Sequence, residues 1–442
     1  MKEETPESRT PRPLIRTVDA IALVIGIVVG AGIFRTPSLV AAHTGTPGLF
    51  FAVWLLGGLI SLVGALCYAE LSTTFPHTGG DYHFLMRAFG KRFAFLFAWA
   101  RLSVIQTGSI ALLAYIIGDY LSQLYPTVPY ASPVFAGLVV ITLTAINLLG
   151  VKFGTGTQNV LFVIELLGLL CVMAVGFLIR PAPEALEALP RATEMPASIG
   201  LALVFVLLTF GGWNEAGYIS AELKAGSRRM VGVLVVSIAV TTVLYLLVNW
   251  SFLHVLGMDR MAASAAVGID LMRVTLGEPG EFLIGIMVAM ATLTSINATI
   301  FTGARTNYAL GRDVKAFAAL SRWNPRTSAP TTALLVQSGI ALALIVLGAF
   351  TRDGFQSMVD FTAPVFWFFF LSTGISLFVL RKKEPGAIRP FRVPFYPVIP
   401  LVFCASCVYL LYSSLAYTGV GSLVGVGVLA VGFILINTVI SV

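Results

Sequence analysis

The chain has 442 residues, of which 57% are hydrophobic and only 11% charged, with four cysteines and a net charge of +7. Apolar runs of about 20 residues recur from end to end, each enough to cross a bilayer core of roughly 30 Å. This excludes a soluble globular protein, whose core at this length cannot enclose so many apolar side chains, and describes a polytopic helical membrane protein.

The first sixteen residues are polar and carry Arg9, Arg12 and Arg16. No short apolar run with a small-residue cleavage site precedes the first span, so no removable signal peptide is expected. Twelve spans follow, at 18–42, 48–72, 92–122, 132–150, 156–180, 198–221, 230–256, 281–310, 331–350, 356–380, 396–417 and 420–441. Span 1 contains Val24-Ile25-Gly26-Ile27-Val28-Val29-Gly30-Ala31-Gly32-Ile33-Phe34, followed by Arg35. Span 3 carries Arg101 and span 5 carries Glu165. Span 6 contains Leu207-Leu208-Thr209-Phe210-Gly211-Gly212-Trp213-Asn214-Glu215. The segment 257–280 includes a stretch, 261–270, with the makings of a short helix over a vestibule. The segment 381–395 is rich in Arg, Lys and Pro, suited to anchoring the topology or to meeting lipid phosphates. Cys67, Cys171, Cys404 and Cys407 all fall inside spans, so neither a disulfide nor a metal site is expected, and Cys404-Ala-Ser-Cys407 reads as small helix-packing residues.

The basic excess follows topology rather than a nucleic-acid partner. With the N-terminus inside, only Arg180, Arg191, Arg260, Arg273 and Arg352 fall on the outside among 28 Lys and Arg residues, as the positive-inside rule requires. An even number of spans places the C-terminus inside as well.

The glycines of spans 1 and 6 are the most informative feature. Glycine costs roughly 1 kcal/mol in a helix interior, but an unwound segment needs it. Free backbone groups are tolerated at membrane depth only where they line a cavity, and the half-helix ends beside them carry opposite partial charges. Two such breaks five spans apart point to an inverted repeat of five plus five helices with a transport site between them. Residues 17–395 then form a ten-helix core, behind a tail at 1–16, and 396–442 add two helices.

Several stretches, taken together and in order, resemble the amino acid–polyamine–organocation superfamily, near its L-type amino acid transporter branch. They are Gly30-Ala31-Gly32-Ile33-Phe34, Ala65-Leu66-Cys67-Tyr68-Ala69-Glu70-Leu71, and Pro76-His77-Thr78-Gly79-Gly80-Asp81-Tyr82. Further along come Phe210-Gly211-Gly212-Trp213-Asn214, Ser295-Ile296-Asn297 with Phe301-Thr302-Gly303-Ala304-Arg305, and Arg389-Pro390-Phe391-Arg392-Val393-Pro394. The resemblance implies a LeuT-like fold and alternating access. It implies that a substrate carboxylate is held by amides around Gly30, Ala31, Gly32 and Ile33, and its ammonium by carbonyls near Ile27, Val28 and Phe210. Phe210 and Trp213 would wall the side chain, beside Gly211, Gly212 and Asn214. The branch usually carries an aromatic gate where this chain has Leu208, which leaves the gating element open.

Ionisable groups at membrane depth are functional candidates. Similar transporters often carry a lysine where this chain has Glu165. Glu165 reads either as a site for the coupling ion, H+ or Na+, near Ser295 and the span 1 carbonyls, or as an ion-pair partner of Arg101 or of a cytoplasmic-side arginine. Arg101 reads as a structural partner of Glu70 or Glu165. Glu215 is expected to cap the amides of the second half-helix and act in gating, or to face a cationic substrate. Arg35 reads as an outer-gate residue or an interfacial anchor.

The expectation is a transporter of neutral L-amino acids, as symporter or exchanger, in a plasma or inner membrane. It needs no cofactor, and without a cysteine in an external loop no disulfide-linked subunit is expected. A carrier of cationic amino acids or polyamines on the same fold is the alternative. An intramembrane enzyme lacks a nucleophile–base pair, and a channel lacks a repeated polar filter.

Overall fold

A computed structural model describes residues 14–124, 130–187, 189–192, 198–224, 226–264, 266–349, 354–418 and 420–439. Arg9, Arg12, Arg352 and most of the 1–16 tail lie outside the described residues. The described chain is helical, with two isolated β-bridges, Ile15 to Leu223 and Asn324 to Ala329.

Among the described residues ten helices are long and apolar enough to cross a membrane. They answer to the expected spans 2 to 11. The expected first and last spans contain shorter apolar helices, Thr17–Val28 and Gly425–Ile436. Span 1 is short because it is broken: helix α1 (Thr17–Val28) gives way to a 3-10 turn (Ala31–Phe34) and then α2 (Thr36–Thr44). Span 2 is α3 (Pro47–Thr74), opened by the Thr46 hydroxyl accepting from the Leu49 amide, with Pro47 at its first position. The short α4 (Asp81–Phe89) leads into span 3, made of α5 (Lys91–Ala100), a π-helical turn (Arg101–Ile105) and α6 (Gln106–Leu124). Spans 4 and 5 are α7 (Ala131–Leu148) and α8 (Val151–Leu178), followed by α9 (Pro183–Glu187). Span 6 is α10 (Ile199–Thr209), a break at 210–212, and a 3-10 helix (Trp213–Glu222). Span 7 is α11 (Met230–Ala263), kinked at Gly257. The helix expected at 261–270 lies slightly later, as α12 (Val267–Leu276). Spans 8 to 12 are α13 (Glu278–Asp313), α14 (Thr331–Gly348), α15 (Gly354–Lys383), α16 (Val398–Thr418) and α17 (Val420–Val439).

Lipid-type side chains cover the outside, for instance Leu59, Val160, Leu167, Val243 and Phe433, each at least half exposed. Polar residues turn inward. From Thr292 to Gly311 every residue of α13 but Leu293 is buried, so this helix runs through the centre. It meets α1, α6 and α8 there.

Candidate functional site

The two breaks meet against α13 and α11. At the end of α1, the Gly30 amide folds back onto the Val28 carbonyl at 2.9 Å, a tight turn that ends the helix. The 3-10 turn that follows begins with the amides of Ala31 and Gly32, which a first turn leaves without intrahelical partners. Among the described residues the Gly32 N–H has no acceptor. In span 6 the break is held open by Gly212, whose φ of 109° belongs to the region glycine favours. A Cβ there would lie 2.3 Å from Ile27 Cγ2, so the two breaks touch at this point. The amides of Gly212, Trp213 and Asn214 also lack acceptors among the described residues. Two sets of free donors therefore lie on breaks that touch each other.

The carbonyls of the breaks are treated differently. Ser295 Oγ on α13 donates to the Gly26 carbonyl at 3.1 Å and also lies 3.5 Å from that of Ile27. The Tyr245 hydroxyl on α11 lies 2.7 Å from the Val28 carbonyl and 3.1 Å from that of Thr209. One phenol thus ties the end of α1 to the end of α10. The Phe210 carbonyl has no donor among the described residues. Gly26 permits this assembly: a Cβ on it would collide with Thr294 at 2.3 Å.

Each side of the breaks is pinned. On one face Thr209 Oγ1 donates to Thr36 Oγ1 at 2.8 Å. On the face carrying the amino-terminal segment, the Ile15 amide donates to the Glu222 carbonyl and the Lys224 amide to the Ile15 carbonyl, both at 2.9 Å.

The aromatic side chains expected in the site, Phe210 and Trp213, are both buried. Phe210 packs on Trp54 of α3 and Tyr245 of α11, with centroids 6.3 and 4.9 Å away. Trp213 packs on Tyr68, Phe370 and Phe403, from α3, α15 and α16. Leu208 is 47% exposed and Arg35 is exposed; among the described residues Arg35 makes no ion pair.

The intramembrane charges pair differently from expectation. Arg101 binds neither Glu70 nor Glu165. It lies on the π-helical turn and donates through Nη2 to both oxygens of Glu215, at 2.9 and 2.6 Å. Its guanidinium also covers the Tyr218 ring at 4.0 Å. Glu215 accordingly does not cap the half-helix. The extra residue of a π turn re-aims side chains, which brings Arg101 into line with span 6. Glu70 is held by Arg381 at 2.8 and 2.5 Å and by the Val393 amide at 2.7 Å. Glu165, by contrast, is buried, and neither of its oxygens has a hydrogen-bond partner among the described residues. The hydroxyl of neighbouring Thr294 is spent on the Met290 carbonyl.

Sequence reasoning missed three residues. Tyr245 gave no signal, being one tyrosine in an apolar run. Arg305 was visible as a charge within span 8; it pairs with Glu222 through Nε at 2.5 Å and Nη2 at 2.8 Å, both side chains being at most 2% exposed. Asp81 stood in a quoted motif without a role. It accepts a hydrogen bond from the Tyr218 hydroxyl at 2.6 Å.

Comparison with known proteins agrees with this architecture. The family model described as "Amino acid permease" matches residues 15–440. The chain is similar to the b(0,+)-type amino acid transporter 1 of Mus musculus, at 28% identity over 87% of this chain and 80% of the relative. It is also similar to the large neutral amino acids transporter small subunit 2 of Mus musculus and of Homo sapiens. Both are 30% identical over 92% of this chain, covering 78% and 77% of the relatives.

Proposed function

The chain belongs to the amino acid permease family, a family of multi-pass membrane transporters rather than enzymes, and from this membership and the geometry of the breaks we propose that it moves neutral L-amino acids by alternating access. The observation that carries the reading is the meeting of free amides from both breaks at mid-membrane. Free N–H groups at helix starts bind carboxylates. A carboxylate common to all amino acids is taken by the amides from Gly30 to Ile33. The ammonium takes carbonyls of the same breaks, at Ile27, Val28 or Phe210, with Gly211, Gly212 and Asn214 alongside.

Neutral substrates are favoured over cationic ones by the pairing of Glu215 with Arg101, which removes one acid from the inventory available to a second positive charge. Glu165 supports ion coupling, because a buried carboxylate without a partner calls for a proton or a cation. Glu215 and Arg101 act in gating, since they join the moving half-helix of span 6 to span 3. The chain works in a plasma or inner membrane with both termini inside. Its fold is a LeuT-like five-plus-five repeat with two added helices, twelve spans in all, without a disulfide-linked subunit.

The deciding experiment is uptake of labelled L-alanine into proteoliposomes, with twenty amino acids and putrescine as competitors. Competition by small and aliphatic neutral amino acids is expected. Competition by arginine and putrescine alone would overturn the neutral reading. Glu165→Gln is expected to lose the driving of uptake by an H+ or Na+ gradient; a variant still driven as strongly removes Glu165 from coupling.

A further inference from the structure

Asp81 begins α4, which joins α3 to α5 on the face carrying Ile15. Its side chain is 4% exposed. Oδ2 accepts from Tyr218, but Oδ1 is shielded from solvent and has no partner. The Tyr68 hydroxyl, facing it from α3, has none either. Arg101 covers the Tyr218 ring, and its Nε is a third buried orphan. Gly80, with φ 47°, lies so close that a Cβ would be 2.5 Å from the Tyr218 ring. Four elements thus meet at one carboxylate: α3, α4, the π turn and the 213–222 half-helix.

Two of the unpartnered atoms, Asp81 Oδ1 and the Tyr68 hydroxyl, face each other. A buried acceptor left without a donor costs about 1–3 kcal/mol. The Tyr68 hydroxyl can donate to an ionised Oδ1, but that leaves a full charge in a site only 4% exposed, whereas a proton on Oδ1 removes the charge and lets Oδ1 donate to the Tyr68 oxygen. We propose that Asp81 is a proton-binding site separate from the central breaks, and that its proton holds the 213–222 half-helix docked on α4, keeping this face of the protein closed. The gating part rests on the transporter reading above; the proton site does not.

The direction follows from linkage. Burial pushes the Asp81 carboxyl from its ordinary 3.8 up to about 6, while Tyr218, Tyr68 and Arg101 pull it down and Glu215 pushes it up. Undocking the half-helix exposes the carboxyl to water and returns it towards its ordinary value. The docked state therefore binds the proton more tightly, so acid on this face favours docking and a rise through pH 6 releases it. Between pH 7 and pH 5 the ratio of docked to undocked rises about tenfold. The other charged groups on the surrounding elements are engaged elsewhere. Glu70 is held by Arg381 and Arg389, Arg87 by Glu384, and Lys383 by the Ala88 carbonyl. His77 and His83 stack on each other at 4.2 Å, facing Asp313, Arg312 and Arg87. Burial holds both histidines below their ordinary range, His83 at about 3.

The test is an infrared titration of the purified protein in lipid, followed by transport. A protonated-carboxyl band is expected to disappear with a midpoint near pH 6. It should be absent in Asp81→Asn and present in Glu165→Gln. Tyr218→Phe removes a donor to the ionised form, so its midpoint should move upward. This reading needs no transport, so it stands apart from the transporter assignment. In proteoliposomes of Glu165→Gln, which takes the coupling carboxylate out of the measurement, acidifying the face that exposes an amino-terminal tag from pH 7 to 5 should slow exit through that face about tenfold, and adding Asp81→Asn should abolish the response. A component titrating near pH 6 that persists in Asp81→Asn, or a midpoint that Tyr218→Phe leaves in place, overturns the proton site. A pH response surviving when Asp81→Asn is added to Glu165→Gln overturns its role in docking.

Discussion

Replacing Gly212 with alanine tests the break in span 6 through two separable costs. The residue has φ 109°, where a Cβ is strained by about 1–2 kcal/mol. The new Cβ would also lie 2.3 Å from Ile27 Cγ2 and 3.5 Å from the Ile27 carbonyl carbon. Ile27 is β-branched, so its χ1 has little freedom to retreat, and overpacking of this kind costs about 1–3 kcal/mol. The sum is about 2–5 kcal/mol. Equilibrium unfolding in mixed micelles measures it, with uptake measured in parallel. Pairing Gly212→Ala with Ile27→Ala removes the collision and leaves the strained φ. The cycle should therefore return a favourable coupling of about 1–3 kcal/mol. As a control, Gly232 in α11 has nothing within 4 Å of its Cβ position, and alanine there should stabilise by up to about 1 kcal/mol. A Gly212→Ala variant within about 1 kcal/mol of wild type, or zero coupling with Ile27→Ala, refutes this account of the break.

Tyr245→Phe leaves the Val28 and Thr209 carbonyls without their shared hydroxyl. A loss of about 1–3 kcal/mol and weaker substrate binding are expected, measured by unfolding and by half-saturation of uptake. Glu222→Gln strands Arg305 in a site where both partners are at most 2% exposed, and should cost about 3–5 kcal/mol; replacing both by apolar residues should recover most of it. His83 is buried neutral at about 3, well below its ordinary 6.5. The unfolded chain binds the proton first, so stability should fall as pH drops below 6.5, by up to about 1.4 kcal/mol per pH unit. His83→Gln should flatten that slope in acid unfolding curves.

The breaks were legible because glycine is costly in a helix, and its pairing in two spans demands an explanation that packing alone supplies poorly. Helix limits followed from apolar length. The places where the reading failed share a cause: they depend on the azimuth of a side chain, which periodicity fixes only in an unbroken helix. Arg101 was assigned to Glu70 or Glu165 by depth. The π turn at Arg101–Ile105 rotates it towards Glu215 instead. Tyr245 lies in a regular helix, yet what its hydroxyl reaches depends on two distant breaks.

The division of backbone groups at the breaks narrows what the site can recognise. Donors from Gly32, Gly212, Trp213 and Asn214 are unclaimed among the described residues, whereas the carbonyls of Gly26, Val28 and Thr209 already receive hydroxyls from Ser295 and Tyr245. A hydroxyl that occupies a carbonyl can be displaced only by a stronger donor. Carbonyls have two lone pairs, so an ammonium can still join Val28, but it meets least competition at Phe210, whose carbonyl has no donor among the described residues, and at Ile27, where Ser295 stands at 3.5 Å. Removing Ser295 by alanine should therefore strengthen, or leave unchanged, binding of the amino group, while Tyr245→Phe loosens both helix ends. If Ser295→Ala instead weakens uptake of L-alanine as much as Tyr245→Phe does, the Ser295 hydroxyl is holding α1 in place, and the ammonium is not drawn to the Ile27 carbonyl.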